Sequence, residues 1–280
     1  MKHQKIFEIS PLGVVLAFCT HPGGYHPSHW HEELEILYPL NGEADIIVDN
    51  KKYRLPKKHV TVVESGKIHS TFSYDSSEMF LRIYVSKECL QNYIPDITLC
   101  RIHCIPEDIS GEQFPEYYKI CELLAELTRL YIYDTPFFRL EAEGIVLQAA
   151  ARLVRFFSRS AAPQAAADPL TMERLRSVIR YVEQHYQEQI SLQDAASRLG
   201  ISREYFCRIF KKNIGNSFLQ YLNDFRLSKI YGDLQSTSLS VSEIMEKNGI
   251  TSQKQFNQSF KKRYGCTPSS VRNPKPAPDP

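Results

Sequence analysis

The spacing of apolar residues along this chain of 280 residues first predicts a block of β-strands. From residue 14 to about residue 85, short runs rich in β-branched and aromatic residues are separated by turn sequences: Asn41-Gly42, Asp49-Asn50 and Ser65-Gly66. Short runs divided by such turns are typical of strands. The predicted strands are 14–19, 33–40, 44–48, 52–55, 59–63, 68–72 and 79–85. Many short strands at this spacing favour a small β-barrel or a two-sheet sandwich.

From Phe114 the apolar period changes from two residues to about 3.6, which predicts helices at about 115–131 and 135–159. In the second of these, Leu140, Leu147 and Val154 recur every seven residues. Such a stripe packs a helix onto its own barrel or forms a seam between two subunits. Both uses stay open, and we favour the seam of a homodimer.

The run SAAPQAAAD at 160–168 contains small residues, one proline and one charge, a composition typical of an interdomain linker. We predict two domains, 1–160 and 169–273, joined by the linker 161–168. A chain of 280 residues allows each domain to bury a core of its own. The proline-rich end, 274–280, is expected to be disordered.

A short sequence near the middle of the second domain occurs twice. Residues 202–212, SREYFCRIFKK, return as SQKQFNQSFKK at 252–262. Each copy begins with a serine that can cap a helix, has Phe at its fifth and ninth positions, and follows a short helical segment and a glycine. This pattern predicts two helix-turn-helix units after a helix at about 169–187. The segment 217–234 between them is predicted to form one helix of roughly 27 Å. A stiff helix of that length can hold two recognition helices about one DNA turn apart, roughly 34 Å.

Both repeated helices present a polar face that is suited to DNA. Phe206, Phe210, Phe256 and Phe260 are expected to face the core. The residues predicted to bind DNA are Ser202, Arg203, Glu204, Cys207, Arg208, Lys211, Lys212, Ser252, Gln253, Lys254, Asn257, Gln258, Lys261 and Lys262. Arg208 suits the two acceptors of guanine, the Gln and Asn side chains suit adenine, and the lysines suit phosphates. A helical bundle with a solvated basic face is the simpler alternative.

The charge distribution separates the two domains. Residues 1–168 contain 17 Lys and Arg against 22 Asp and Glu, a net charge of −5, whereas residues 169–280 contain 17 against 10, a net charge of +7. An acidic front and a basic back indicate that only the back half meets a polyanion. We therefore expect double-stranded promoter DNA as a partner of the second domain.

Seven cysteines without regular spacing do not form a disulfide framework, and residues 1–10 contain no apolar segment of a signal peptide. The sequence also contains no apolar run of the length of a membrane span. We expect a cytoplasmic protein without a membrane partner.

A cluster of histidines supplies the candidate chemistry of the front domain. His29, His31 and Glu35 share parity along what we predict to be one extended segment, and His69 lies on a later strand. Imidazoles and a carboxylate suit Mn, Fe, Ni or Zn. A bound divalent metal, a polar small-molecule pocket without metal, and ordinary core or surface histidines all stay open. We expect no required cofactor.

Two further residues are candidates for binding a ligand. Arg82 and Tyr84 share one face of the predicted strand 79–85, and either side chain can hold a hydroxyl or a carboxylate inside a barrel. An arginine on an exposed strand face is the alternative.

The histidine cluster resembles the metal motif of the cupin family: a glycine, five residues, His29-x-His31, three residues, Glu35, six residues and Gly42. The family's second motif, Pro-x-Gly-x-x-His, is matched by 64–69, with Glu64 in place of proline. The resemblance covers about residues 10–86 and implies a cupin β-barrel.

Residues 171–272 resemble the AraC/XylS family of bacterial transcription regulators. The resemblance is carried by ISLQDAASRLGIS at 190–202, Phe210–Lys212, Tyr221-Leu222, Arg226-Leu227 and FKKRYGCTPSSVR at 260–272. Departures are Ile250, where the family has Phe, and a polar end to the first helix of the second unit. The fold class implied is α+β, with a cupin-like barrel followed by helices and then an all-α double helix-turn-helix domain.

We interpret the chain as a sequence-specific DNA-binding transcriptional regulator, and not as an enzyme, that responds to a small-molecule effector in the barrel. The resemblance implies a sugar or related effector, activation rather than repression, and RNA polymerase as a partner. One alternative is a metal-dependent cupin enzyme attached to a DNA-binding domain. Another is a DNA-binding or scaffolding protein whose barrel only dimerises.

Overall fold

The computed structural model describes residues 4–9, 14–20, 25–73, 78–95, 97, 100–133, 136–160 and 169–272. Two compact units are present: Met1–Gly23 with Trp30–Gln164, and Ala165–Pro280 with Gly24–His29. The predicted linker 161–168, the predicted tail 274–280 and the first glycine of the cupin motif, Gly23, lie outside the described residues. The domain limits 1–160 and 169–273 stay predictions.

The front half is built on two β-sheets. The strands are β1 (Gln4–Ile9), β2 (Val14–Thr20), β3 (Tyr25–His29), β4 (Leu34–Asn41), β5 (Ala44–Val48), β6 (Lys51–Leu55), β7 (Thr61–Val63), β8 (His69–Ser73), β9 (Met79–Val85), β10 (Cys100–Ile102) and β11 (Ser158–Ser160). One sheet has the order β1-β2-β9-β4-β7 and the other β3-β8-β5-β6, while β10 pairs with β11. The pairs β2–β9, β4–β9 and β5–β8 are antiparallel.

The register of β4 and β9 places four side chains on one face of the first sheet. Glu35 lies opposite Tyr84, and Leu37 lies opposite Arg82. Directly opposed residues share a face, and so do residues two apart on one strand. The parity argument that paired Arg82 with Tyr84 is therefore correct, and Glu35 lies on the same face.

All seven predicted strands are present, with ends shifted by at most two residues. The expectation of one extended segment from His29 to Glu35 is wrong. Strand β3 ends at His29 and belongs to one sheet, whereas β4 begins at Leu34 and belongs to the other. The chain bends between them, so the histidines and Glu35 reach the cluster from two sheets rather than from one strand. Strands β1, β3, β10 and β11 were not predicted.

The helices of the front half are α1 (Lys87–Gln91), α2 (Phe114–Tyr133) and α3 (Phe138–Phe157), with short 3-10 helices at Pro106–Asp108 and Gly111–Gln113. Buried residues of α2 and α3 share one core with the first sheet. The hydroxyl of Tyr117 donates to the carbonyl of Val60 at 3.1 Å. On the predicted stripe, Leu147 and Val154 pack against this core, whereas Leu140 is 71% exposed.

Residues 169–272, the described part of the back half, form seven helices. They are α4 (Pro169–His185), α5 (Leu192–Arg198), α6 (Arg203–Ile214), α7 (Phe218–Ser236), α8 (Val241–Lys247), α9 (Gln253–Tyr264) and α10 (Pro268–Arg272). Helices α5 and α6 form the first helix-turn-helix unit, α8 and α9 form the second, and α7 connects them. At 1.5 Å per residue, α7 is about 28 Å long.

Local sequence explains where these helices begin. The side chains of Ser191 and Ser240 form capping boxes with Asp194 and Glu243. Such reciprocal hydrogen bonds satisfy backbone groups that the first helical turn leaves unpaired. Among the described residues, no helix combines the length and the apolar composition needed to cross a bilayer.

The apolar pattern explains how the helices pack. The phenylalanine pairs of α6 and α9 are buried: Phe206, Phe210, Phe256 and Phe260 are at most 1% exposed. The rings of Phe206, Phe210 and Phe218 lie 5.4 to 5.5 Å apart between centres. Aromatic contacts at this spacing add to the burial of apolar surface, so each pair anchors its helix.

Candidate effector and DNA-binding sites

A charged group lies inside the front unit. Nη1 of Arg82 donates to Oε1 of Glu35 at 3.2 Å, and Nη2 of Arg82 donates to Oγ1 of Thr71 at 3.2 Å. Glu35 is 0% and Arg82 3% exposed. Because Glu35 and Thr71 belong to different sheets, Arg82 connects the two sheets by hydrogen bonds.

Two histidines meet the other oxygen of the same carboxylate. Oε2 of Glu35 lies 2.9 Å from Nε2 of His69 and 3.4 Å from Nε2 of His31. The ring of Tyr84 lies 5.2 Å from that of His31 in an edge-on arrangement. His69 is buried, while His31 and Tyr84 are partly exposed. These two side chains therefore form the accessible edge of the cluster.

The electrostatics follow from burial and from the arginine. Burial alone would raise the pKa of Glu35, but the charge of Arg82 and hydrogen bonds from the two histidines hold it well below its usual range. Burial lowers the pKa of His31, and the hydrogen bond and charge of Glu35 outweigh this effect and raise it. Burial raises the pKa of Tyr84. At neutral pH the cluster thus contains a carboxylate, a guanidinium and a protonated phenol.

The three imidazoles fit part of a metal site. The nitrogen ligand atoms of His29, His31 and His69 lie within 4.8 Å of one another. Each Nδ1 lies 3.0 Å from a backbone carbonyl, those of Pro27, Glu33 and Lys67. Such contacts place a proton on Nδ1. In the neutral imidazole the lone pair of Nε2 is then available to a metal, whereas an Nε2 of His31 or His69 that carries a proton donates to Glu35 instead. These histidines could hold a divalent ion that acts as a Lewis acid.

Glu35, the fourth residue of the predicted metal set, is not part of this three-histidine group. Its carboxylate is bound by Arg82 instead. A divalent cation beside that ion pair would face the guanidinium without a second carboxylate to balance its charge. The histidine nitrogens are therefore suitable metal ligands. The positive charge of Arg82, however, makes cation binding less favourable than in a site whose carboxylate is not paired with an arginine.

Two residues of this region have structural roles that the sequence did not predict. Thr71 accepts from Arg82, and its parity with His69 on β8 was the signal that pointed to it. Glu64 stands at the proline position of the second cupin motif. Its Oε1 accepts from the backbone N–H of Ile102 at 2.8 Å, so the residue ties that turn to β10.

The first recognition helix, α6, presents the expected polar face. The side chains of Arg203, Glu204, Arg208, Lys211 and Lys212 are exposed, and Cys207 is half-buried. Ser202 accepts from the backbone N–H of Tyr205 at 3.2 Å and caps the helix. The guanidinium of Arg208 lies 5.2 Å from the centre of the Tyr205 ring.

The second recognition helix, α9, presents a face of amides and lysines. Gln253, Lys254, Asn257, Gln258, Lys261 and Lys262 are exposed. Ser252 caps this helix through the backbone N–H of Gln255 at 3.5 Å. The two helices therefore offer different chemistry: arginines and a carboxylate on α6, amides on α9.

Comparison with known proteins finds one domain match over the recognition helices and another over most of the front-half strands. The helix-turn-helix domain of the AraC type matches residues 195–274, and the cupin domain matches residues 17–84. The chain belongs to the AraC-type transcriptional regulators. It is a DNA-binding regulator with a cupin domain and an α+β fold, as the two resemblances predicted from the sequence.

Relatives of this AraC-type regulator are also named as transcriptional regulators. An uncharacterized HTH-type transcriptional regulator, YdeC of Bacillus subtilis, is 24% identical over 263 residues, which cover 89% of this chain and 87% of YdeC. An uncharacterized HTH-type transcriptional regulator of Staphylococcus aureus is 21% identical over 245 residues. The match covers 87% of this chain but only 32% of that relative.

Among solved structures, the C-terminal domain of the two-component response regulator yesN from Fusobacterium nucleatum is 33% identical. The match covers 35% of this chain and 95% of that domain, with a TM-score of 0.33.

Proposed function

We propose that this AraC-type regulator controls transcription, as an activator, in response to a small polar effector that binds at the Arg82–Glu35 cluster. The observation that carries the proposal is the burial of the Arg82 guanidinium, the Glu35 carboxylate and the His69 imidazole in the front unit. Burying such a group is costly, and replacing it with apolar residues is often stabilising. A polar cluster with two partly exposed members, His31 and Tyr84, is suited to a ligand. A sugar or sugar acid offers the hydroxyls and carboxylates that these side chains bind.

The effector step is tested by thermal unfolding of the full chain with a panel of sugars, sugar acids and divalent metals. An effector should raise the melting temperature of the wild type and of Tyr93→Phe, whose tyrosine is 59% exposed. The shift should be smaller in Tyr84→Phe, because the phenol donor is lost. If no member of the panel changes either the melting temperature or the DNA footprint, a barrel that serves only dimerisation becomes the better interpretation.

We propose further that both recognition helices read one promoter. Arg208 is proposed to bind a guanine edge, the amides of α9 to bind adenine, and Lys261 and Lys262 to bind phosphates. The remaining residues proposed to bind DNA are Ser202, Arg203, Glu204, Cys207, Lys211, Lys212, Ser252 and Lys254. An effector switches such a protein only when it binds its two states with different affinity.

RNA polymerase is proposed as a partner in activation, and the cytoplasm as the compartment. A homodimer is proposed through the helix pair α2 and α3, where the exposed Leu140 extends the stripe of Leu147 and Val154. Sedimentation of the full chain and of Leu140→Glu tests the dimer. The variant should sediment as a monomer at concentrations where the wild type is dimeric.

A metal-dependent cupin enzyme attached to a DNA-binding domain is the second candidate. The observation in its favour is the convergence of His29, His31 and His69. It requires a stoichiometric metal and turnover. Metal analysis of the purified chain separates the two: metal-free protein that still binds DNA and responds to an organic effector excludes the enzyme, whereas loss of the response on chelation favours it.

A further inference from the structure

The two helix-turn-helix turns differ in what they touch. Gly200 and Gly249 occupy the same place in the two units, with φ of +63° and +72°. A Cβ on Gly200 would meet nothing within 4 Å. A Cβ on Gly249 would lie 2.4 Å from the carbonyl oxygen of Gln187 and 2.9 Å from its carbonyl carbon. The turn of the second unit is thus pressed against the backbone that follows α4.

The connecting helix α7 also binds the backbone on either side of Gln187. Nε of Arg226, on α7, donates to the carbonyl of Tyr186 at 2.7 Å, and its Nη2 donates to the carbonyl of Glu188 at 2.6 Å. The Tyr186 ring also meets the Phe225 ring at 5.2 Å between centres. We call Tyr186, Gln187 and Glu188 the α4–α5 joint. A forked guanidinium holds two carbonyls at once, which a lysine ammonium does not do with the same geometry.

A second set of contacts fixes the turn of the second unit to α7. Asp233 accepts from Nζ of Lys247 at 2.9 Å and from Nδ2 of Asn248 at 2.8 Å. Asn248 is 0% exposed and also donates to the carbonyl of Ile244 at 2.8 Å. The turn is therefore held on one side by α7 and on the other by the α4–α5 joint.

We propose that the α4–α5 joint positions the second recognition helix relative to the first and so sets the spacing of the two DNA half-sites. The first unit follows the joint directly in the chain, through the buried Ile190 and the cap at Ser191. The second unit meets the joint at Gly249, and the connecting helix α7 meets it through Phe225 and Arg226. The joint lies outside residues 195–274, which match the helix-turn-helix domain. The proposal rests on the proposed use of both recognition helices.

The test starts from DNA duplexes selected by the wild-type full chain from a random pool. Binding is then measured by fluorescence anisotropy to the selected site, to sites with one half scrambled, and to sites with one to four base pairs inserted or removed between the halves. The variant is Gly249→Ala, and the matched control is Gly200→Ala. Both put a Cβ at positive φ, but only the first adds a clash with the joint.

The Gly249→Ala variant should bind the complete site at least tenfold more weakly than Gly200→Ala does. It should keep affinity for the first half-site within about twofold and change the preferred spacing, because a displaced helix no longer matches the groove at one DNA turn. Arg226→Lys, which adds no bulk, should change the spacing profile in the same direction. If Gly249→Ala loses helical circular dichroism, the spacing profile of Arg226→Lys alone tests whether the joint positions the second helix.

Two results would overturn the inference. If both variants keep the wild-type spacing preference and the ratio between complete and half-site binding, the joint does not position the second helix. A domain that is merely less stable gives that result, since it binds all duplexes more weakly in proportion. If selection returns a single half-site, the proposed use of both recognition helices fails, and the positioning role fails with it.

Discussion

The guanidinium of Arg82 and the carboxylate of Glu35 form an ion pair, 3.2 Å between Nη1 and Oε1, at which the two side chains are 3% and 0% exposed. The remaining carboxylate oxygen faces two imidazoles. Every charge in this group has a partner, and removal of one member leaves the others buried without it. The candidate effector site is for this reason also a determinant of stability.

Replacing Arg82 with alanine should lower the free energy of unfolding of the front unit by about 3–5 kcal/mol, because Glu35 is then buried without its counter-ion. The matched control is Arg54→Ala. Arg54 pairs with Glu43 at the surface, where both are more than half exposed, and its loss should cost at most about 1 kcal/mol. Urea unfolding followed by fluorescence of Trp30, the single tryptophan, measures both. Equal losses would contradict the assignment.

The substitution Thr71→Val keeps the shape of the side chain and removes its hydroxyl. Because Oγ1 accepts from a charged, buried donor, we expect a loss of about 1–3 kcal/mol in the same unfolding experiment. A combined variant with Arg82→Ala tests the contact directly. Its loss should be smaller than the sum of the two single losses, since both remove one hydrogen bond. Additive losses would show that the two side chains act independently.

On DNA, Arg208→Ala and Lys262→Ala should behave differently, although both remove an exposed positive charge. Loss of Arg208 should cost about 1–3 kcal/mol on the preferred sequence and relax the preference at one base pair. Loss of Lys262 should weaken binding to all sequences alike and reduce the salt dependence by about one unit of slope. Anisotropy titrations on specific and random duplexes at several salt concentrations measure both effects. An equal loss for Arg208→Ala on both duplexes speaks against base reading.

Acid should weaken the helix-turn-helix units through their capping boxes. Hydrogen bonds from Ser191 and Ser240 lower the pKa of Asp194 and Glu243 below their ordinary values of 3.8 and 4.5. A carboxyl group with a lower pKa in the folded state stabilises the fold above its ordinary pKa. This contribution is lost as the pH falls through the lower, folded-state value.

The double variant Asp194→Asn and Glu243→Gln should therefore lose less helical circular dichroism than the wild type when the pH is lowered from about 5 to about 3. It should be somewhat less stable than the wild type at pH 7. The control Glu246→Gln replaces an exposed carboxylate of α8 outside the capping boxes, and it should lose helical circular dichroism in acid to the same extent as the wild type. Identical acid profiles for the double variant and the wild type would show that the caps do not contribute.

The structure explains why the end of α8 is polar, which is a departure from the family pattern. From the sequence, Glu246, Lys247 and Asn248 only made this helix more polar than is usual in the family. In the fold, Asn248 is buried and two of the three side chains bind Asp233 of the connecting helix. Asp233 and Asn248 are fifteen positions apart, so helical periodicity carries no signal for their contact.

The sequence itself determined four features: the duplicated helix-turn-helix, its helix caps, its buried phenylalanine pairs and the types of residue in the two sites. These features depend on neighbours within one or two helical turns or within one strand, where spacing fixes the geometry. The cross-sheet contacts of Arg82 and the bend between His29 and Glu35 were decided by the tertiary structure. So was the difference between Gly249, where a Cβ would meet the backbone of Gln187, and Gly200, where a Cβ would meet nothing within 4 Å. Sheet register and helix packing set those contacts, and both depend on residues far apart in the chain.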